Sequence, residues 1–415
     1  MLRKKIMKKL SIMAKAAVAA MMALSAIAIN SCSPQDKDIA DAPGAPKYIF
    51  LFIGDGMGAA QAAVTESYLS YTKGELGGEE LCFSGFPVLG TCTTYSADHQ
   101  ITCSSASGTA ISCGQKTKNG YLGVDTLGNE LTSIAYILKD KGYKIGIMSS
   151  VPVNHATPGA FYAHNSDRED YYSISMEIPE SGFDFFGGSG FLQFSGKDGE
   201  AKPTPEVLES KGYEVCFGEK EFRENMDSTA HIVFIQPSGK DSNADNYEVE
   251  DIKEEDCRLA QMLQMGLDFM TDKQPFFIMC EGGEIDWAAH ANQTMPMVDA
   301  VLRFNEAVEK AYSFYLEHPD ETLILVTADH ETGGITLGCN GSYGVDWKTI
   351  DEAYKANGAP SDKTENDRLN AAGIGWTTDN HTGSPVPIYA IGYGSHRFAG
   401  RMDNTEIKDK ILDIH

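Results

Sequence analysis

The sequence predicts an α/β fold, a three-layer α/β/α arrangement in which helices cover both faces of a large, mostly parallel central sheet. Three observations carry this. Near-continuous apolar runs of strand length recur along the chain, as in KYIFLFIGDG, PFFIMCEGGE, ETLILVTADH and VPIYAIGYG. Such runs suit strands buried on both faces. Helix-competent stretches, SIAYILKDKG and DAVLRFNEAVEKAYSFYLE, lie between them, the alternation expected of a helix-covered parallel sheet. The runs also stop at polar residues, which is where open α/β sheets place their ligands.

Composition supports a folded enzyme-sized domain. The chain has 415 residues, 42% hydrophobic and 22% charged, with 41 Gly and 16 Pro. This excludes disorder, collagen-like repeats and coiled coil as descriptions of the whole. Its net charge of -25 would repel a phosphate backbone, so nucleic-acid binding is not expected. A small anionic substrate remains compatible, because metals or arginine can invert a local field.

The N-terminus is a separate object. Arg3, Lys4, Lys5, Lys8, Lys9 and Lys15 precede the apolar run AAVAAMMALSAIAI, the layout of an export signal and too short for a comfortable transmembrane helix. Ala26-Ile27-Ala28 offers an ordinary cleavage site, and Ile29-Asn30-Ser31-Cys32 resembles a bacterial lipobox. The lipobox is the preferred reading, with residues 1–31 removed, Cys32 lipidated and 32–46 a flexible tether. The expected location is the periplasm or outer membrane, with the acidic Asp36 and Asp38 faintly resembling a surface-export signal. Residues 47–415 then form the catalytic domain, with insertions or caps around 165–256 and 340–380. The remaining cysteines permit disulfides or buried thiols.

The elements follow in order. Asp55 ends the first run, His155 and Thr157 follow GYKIGIMSSVPVN, and Glu281 ends a third run. Asp286 and His290 are four apart, so on a helix they share a face and can bind one metal. Asp329 and His330 end a fourth run, and His381 lies in the polar loop before the last. Carboxylate with imidazole suits zinc; carboxylate, hydroxyl and water suit magnesium. Taken alone, Asp329-His330 could equally cap a helix; the strand-end placement of the whole set argues for a metal centre. In TCSSASGTAIS, Ser104 or Ser105 would put a hydroxyl at a helix N-terminus, either as a cap or where an oxyanion is favoured. Arg168 is a surface ion-pair partner or a bidentate phosphate clamp.

FIGDGMG, the serine segment with its CGQKTKNGYLGVD tail, HATPGAFYAHNSDR, EGGEIDWAAH, VTADHETGG and NHTGS resemble, in order, the signature segments of the alkaline phosphatases. The resemblance spans roughly residues 48–394. It implies an alkaline phosphatase-like fold and hydrolysis of small phosphomonoesters through a phosphoserine, with two zinc ions and one magnesium ion per subunit, and a homodimer. The tail G-x-K-T-x-N-G, matched by Gly114 to Gly120, assigns Ser104 as nucleophile. Asp286, His290 and His381 are implied to hold one zinc, and Asp55, Asp329 and His330 the other. Asp55 also reaches magnesium with Thr157 and Glu281, while Arg168 grips phosphate oxygens. Three positions depart from the best-known bacterial pattern: Cys103 replaces an Asp that helps hold the arginine, His155 an Asp, and Trp287 a Lys. Arg168 is therefore expected to be looser, or held by Asp167. The alternatives are a phosphodiesterase of the same superfamily and a non-catalytic phosphate-binding lipoprotein. The formylglycine motif of sulfatases is absent.

Overall fold

The computed structural model describes residues 46–239, 256–270, 274–339, 341, 343–357 and 372–412. The leader, Cys32, the tether and most of the acidic run before Asp256 lie outside the described residues. The strands are β1 (Tyr48–Gly54), β2 (Val88–Thr93), β3 (Lys144–Ser149), β4 (Phe185–Gly188), β5 (Glu214–Phe217), β6 (Ile232–Ile235), β7 (Phe276–Gly282), β8 (Thr322–Thr327), β9 (Glu331–Thr332), β10 (Thr336–Leu337), β11 (Ile374–Gly375), β12 (His381–Thr382), β13 (Val386–Gly392) and β14 (Gly400–Asp403).

Ten of them form one sheet in the order β14-β2-β13-β8-β1-β7-β3-β4-β6-β5. Every pairing is parallel except the two made by β13. All seven residues of β1 and of β7, and all six of β8, are buried. Successive side chains on a strand point to opposite faces, so full burial means both faces are covered, as the apolar runs require.

The helix Thr294–Glu317 shows how the cover is built. Met297, Val301, Phe304, Val308 and Ala311 are buried, and their three- and four-residue spacing places them on one stripe facing the sheet. Burying each of the larger side chains is worth roughly 1.5–3 kcal/mol. Pro296 falls in the first turn, where a missing N–H costs nothing.

Two expectations change. The stretch 165–256, read as an insertion or cap, contributes β4, β5 and β6 to the edge of the sheet. Its runs FFGG, EVCF and IVFI are only four residues long, too short for periodicity to distinguish from loop. Within 340–380, read as lacking apolar periodicity, Trp347–Asn357 is a helix. Trp347 and Ile350 are buried, three residues apart, and Tyr354 packs against the same core, a helical stripe that the polar flanks obscured. Cys92, Cys113, Cys216, Cys257 and Cys280 are buried thiols, and Cys82 and Cys103 partly buried ones, so the thiol alternative holds for them.

Sheet order brings the polar strand ends together. The neighbours β8, β1, β7 and β3 stand side by side in parallel, so the residues following each emerge at one edge. In register, Glu281 of β7 lies between Ile53 of β1 and Ser149 of β3.

Candidate active site

The floor of the site is a set of acids at these strand ends. Asp55 follows β1 and is fully buried, and neither of its carboxylate oxygens has a hydrogen-bond partner. Gly56 adopts φ +69° and lies against Asp286 and Thr332, where a Cβ would meet Asp286 Oδ1 at 2.9 Å. Only glycine accommodates both the left-handed backbone and that approach. The Gly56 N–H donates to Asp329 Oδ1 at 3.2 Å, and the His330 N–H donates to the same oxygen at 3.0 Å. Asp329 Oδ2 is left buried without a partner. His330 Nε2 lies 3.4 Å from Asp55 Oδ1 and 3.2 Å from Asp329 Oδ2.

A second cluster sits on the helix Glu284–His290 and the β12 strand. His290 Nε2 is 3.3 Å from Asp286 Oδ2, His381 Nε2 is 3.7 Å from Asp286 Oδ1, and the two Nε2 atoms are 3.1 Å apart. Each imidazole has its Nδ1 at a carbonyl, His290 at Asp379 (2.6 Å) and His381 at Thr102 (2.8 Å). Nδ1 must carry the proton there, so each neutral ring aims an Nε2 lone pair inward, the arrangement that orients a metal ligand; without a metal, Asp286 draws a second proton onto His290 Nε2. The pairing of β12 with β9 delivers His381 to this place.

The third cluster joins Asp55 and Glu281 with His155. Thr157, at the start of the short helix Ala156–Gly159, has a buried hydroxyl without a partner, as has Glu281 Oε1. The Ser149 hydroxyl donates to the other Glu281 oxygen. Sequence reasoning placed His155 behind the ligands; it stands within ligating reach. Trp287 packs its ring edge-on against His155, 5.8 Å between centroids.

Crowding sets the electrostatics. Burial first, then the Asp329 charge, drives Asp55 far above the ordinary carboxylate range. Burial likewise pushes Glu281 up to about 8 and Asp329 up to about 7, the latter helped by Asp286. Burial also works against ionisation of Asp286, but the hydrogen bond from His290 and the histidine charges overcome it and hold Asp286 low. His290 is raised to about 9 because Asp286 outweighs its burial. So many buried acids ionise together only if cations sit among them. Partnerless oxygens, inward lone pairs and three clusters of ligand atoms within 4.8 Å therefore fit metal ions.

Ser104 faces this floor. Cys103 is extended (φ -101°, ψ 165°), Ser104 begins the ten-residue helix that ends at Cys113, and Gly114 closes it in the left-handed region. The Ser104 hydroxyl lies 3.3 Å from His330 Nε2. The N-terminus of this helix favours an oxyanion beside the hydroxyl. Half-buried Arg168 places Nη2 3.3 Å from His155 Nε2, and its charge together with burial lowers His155 to about 3. Asp167 does not hold Arg168: its carboxylate accepts the Glu169 N–H at 3.0 Å, and the Arg168 backbone N–H is tied to the Gly120 carbonyl at 2.9 Å.

Sequence reasoning missed Thr332. Its hydroxyl donates to Asp286 Oδ1 at 2.5 Å and lies 3.2 Å from His330 Nδ1, joining the two histidine clusters. The signal was present, since residue i+2 on an extended segment shares a face with His330.

The sequence profile of the alkaline phosphatases matches residues 46–187 and 239–414; β5 and β6 fall between the matched stretches. Alkaline phosphatase 3 of Bacillus subtilis is 29% identical, over 99% of this chain and 97% of its own. The rat tissue-nonspecific alkaline phosphatase is 27% identical over 85% and 80%. The alkaline phosphatase of the Antarctic bacterium TAB5 superposes with a TM-score of 0.71 at 29% identity, covering 89% of this chain and 98% of that one. A cold-active alkaline phosphatase from a psychrophilic Shewanella gives 0.71 at 27%, covering 88% and 99%. With these matches over the sheet and its strand-end clusters, the chain belongs to the alkaline phosphatase family, the metal-dependent hydrolases of phosphate monoesters.

Proposed function

We propose that Ser104 is the nucleophile of this hydrolysis and Arg168 the phosphate clamp. Asp286, His290 and His381 hold one zinc; Asp55, Asp329 and His330 hold a second; Asp55, Thr157 and Glu281 hold magnesium. The observation that carries the reading is the Ser104 hydroxyl at a helix N-terminus, 3.3 Å from His330 Nε2, above three clusters of metal-fit donors. Variants of the TAB5 enzyme with one histidine replaced by glutamate or aspartate have magnesium bound in the M3 site, a parallel for the third cluster.

When bound, the ions supply Lewis acidity and neutralise charge on the transferring phosphoryl group. The chain does the rest. Arg168 offers parallel N–H donors to two phosphate oxygens and fixes their orientation. The first-turn N–H groups stabilise charge beside the nucleophile. Ser104 Oγ attacks phosphorus and gives up its proton to solvent, the P–O bond to the alcohol breaks, and the departing oxygen takes up a proton from solvent, giving phosphoserine and free alcohol. Water then attacks that phosphorus, releasing inorganic phosphate and restoring the serine hydroxyl; one difficult hydrolysis becomes two easier steps.

The test is hydrolysis of p-nitrophenyl phosphate against its bis ester, with wild type and Ser104→Ala at pH 7–10. Monoester preference, lost in the mutant by about 1,000-fold or more and lost with chelator, is the expected result. Diester preference, or a fully active Ser104→Ala, would sink the assignment and turn attention to Ser105 or to a phosphodiesterase.

The reading extends to an exported homodimer, with residues 1–31 as signal peptide and the catalytic domain tethered by lipidated Cys32 in the periplasm or outer membrane. Labelling with radioactive palmitate that disappears in Cys32→Ala supports the anchor; unlabelled wild type refutes it. Among the described residues no helix is long and apolar enough to cross a membrane.

A further inference from the structure

We propose that Glu331 is a positioning residue: its buried carboxylate braces β9 against β12 and so sets His381 against His330 across the two zinc sites. This rests on both histidines being zinc ligands.

Three donors from separate parts of the chain converge on the carboxylate. Gln61 Nε2 donates to Glu331 Oε1 at 2.7 Å, and the Gly334 N–H donates to the same oxygen at 3.0 Å. The Thr382 hydroxyl donates to Oε2. A carboxylate accepts all three, whereas a carboxamide would match the set only in part. Gln61 lies in the first turn of the helix Ala59–Thr72 and is fully buried. Its Nε2 also donates to the Thr332 carbonyl at 2.7 Å, so one amide holds both residues of β9. Glu331 reaches this place over Gly58, where any Cβ would collide with Glu331 Cγ. The last glycine of FIGDGMG is therefore required by space, its φ of -74° being ordinary.

The brace acts on the ladder that carries the histidines. β9 and β12 pair antiparallel, with Glu331 opposite Thr382 and Thr332 opposite His381. His330 directly precedes Glu331, and His381 directly precedes Thr382, so the carboxylate–hydroxyl bond closes the rung beside both imidazoles. The two rings stack with centroids 3.5 Å apart and planes 20° from parallel. His330 has an anchor of its own, since its N–H is bonded to the Asp329 carboxylate beyond the end of β8. His381 arrives from a loop on a strand of two residues, and so short a ladder is marginal by itself. Its Nδ1 meets the Thr102 carbonyl, and the Gly333 N–H donates to the neighbouring Asn380 carbonyl at 3.0 Å. The rest of its placing depends on how firmly Glu331 holds β12.

The experiment reads the ladder and the metal separately, both on the metal-loaded enzyme. Backbone hydrogen exchange is followed by mass spectrometry, and the two zinc affinities by chelator competition. Wild type is compared with Glu331→Ala, Thr382→Val, Thr382→Ser, the Glu331→Ala/Thr382→Val double variant and His381→Ala, which identifies the zinc that His381 holds. Peptides covering β12 should exchange severalfold faster in Glu331→Ala and in Thr382→Val, with those of β8 unchanged. The zinc that His381 holds should bind about tenfold more weakly in both variants, and the other as before. Thr382→Ser should behave as wild type, and the double variant should be no worse than Glu331→Ala. Unchanged exchange and zinc affinity in Glu331→Ala would overturn the proposal. So would equal weakening of both zinc ions together with β8, which marks a general packing role, or losses that simply add in the double variant. If His381→Ala leaves both zinc affinities untouched, the ligand assignment itself falls, and this proposal with it.

Discussion

The floor and the rim of the site are built on different terms. The floor, Asp55, Glu281 and Asp329, hangs from the ends of parallel strands, is wholly buried, and carries oxygens with no protein partner. The rim, Cys103, His155, Arg168 and Trp287, sits on a helix cap, a loop and one helix face, where Arg168 and Trp287 both meet His155. Backbone register fixes the floor; side-chain contact fixes the rim. By the sequence resemblance the floor residues are those the family pattern implies, whereas Cys103, His155 and Trp287 of the rim depart from its best-known bacterial form. A cluster that must satisfy a cation's geometry tolerates little change, while a clamp can be held in more than one way.

The contrast can be broken first by chelation, with the largest effect. Removing divalent metal should abolish activity and leave the buried acids to pay for their own ionisation. Glu281 and Asp329 have folded-state pKa values near 8 and 7, above the ordinary ~4 of an unfolded chain. Over that interval the folded state binds more protons than the unfolded one, so stability must fall as pH rises. Thermal melts of chelated protein should therefore drop from about pH 5 to pH 9, with His290, raised to about 9, adding to the loss at the upper end. Melts of the metal-loaded protein should lack this slope, and a rise with pH in the chelated form would refute the argument.

Asp329→Asn removes one charge from the floor while keeping its shape. A loss of roughly 1,000-fold in kcat/KM together with zinc from one site is expected, several kcal/mol of charge stabilisation being at stake. Zinc analysis alongside kinetics separates this from misfolding. Arg168→Ala strikes the rim and should cost about 100-fold in kcat/KM with zinc content intact. If it also empties the metal sites, floor and rim are not independent.

Thr332→Val sharpens the comparison with the smallest effect. The hydroxyl that joins Asp286 to His330 orients ligands without being one, so zinc affinity in a chelator competition should fall about tenfold. Thr332→Ser should restore it; equal loss in both variants would point to packing instead.

The floor was nearly all legible in the sequence, because each of its residues follows a strand-length apolar run, and periodicity reports such runs well. His155 was legible as a site residue, but its approach to Asp55 and Glu281 was not, since the turn after β3 that swings it there leaves no mark on spacing. For Arg168 the sequence left two readings open, a looser side chain or one held by adjacent Asp167; in the structure its guanidinium meets His155, 13 positions away.

By itself, then, the sequence determined the parallel sheet, the ligand types at its strand ends and the helix that presents Ser104, because each is written in local pattern: apolar run, four-residue spacing, small residues before a helix. Only the tertiary structure decided that β4, β5 and β6 extend the sheet and that Thr332 bridges two clusters. It also decided that His155 stands beside Arg168. Those choices depend on which strand lies beside which, and strand order is set by packing energy summed over the whole core, which no local window contains.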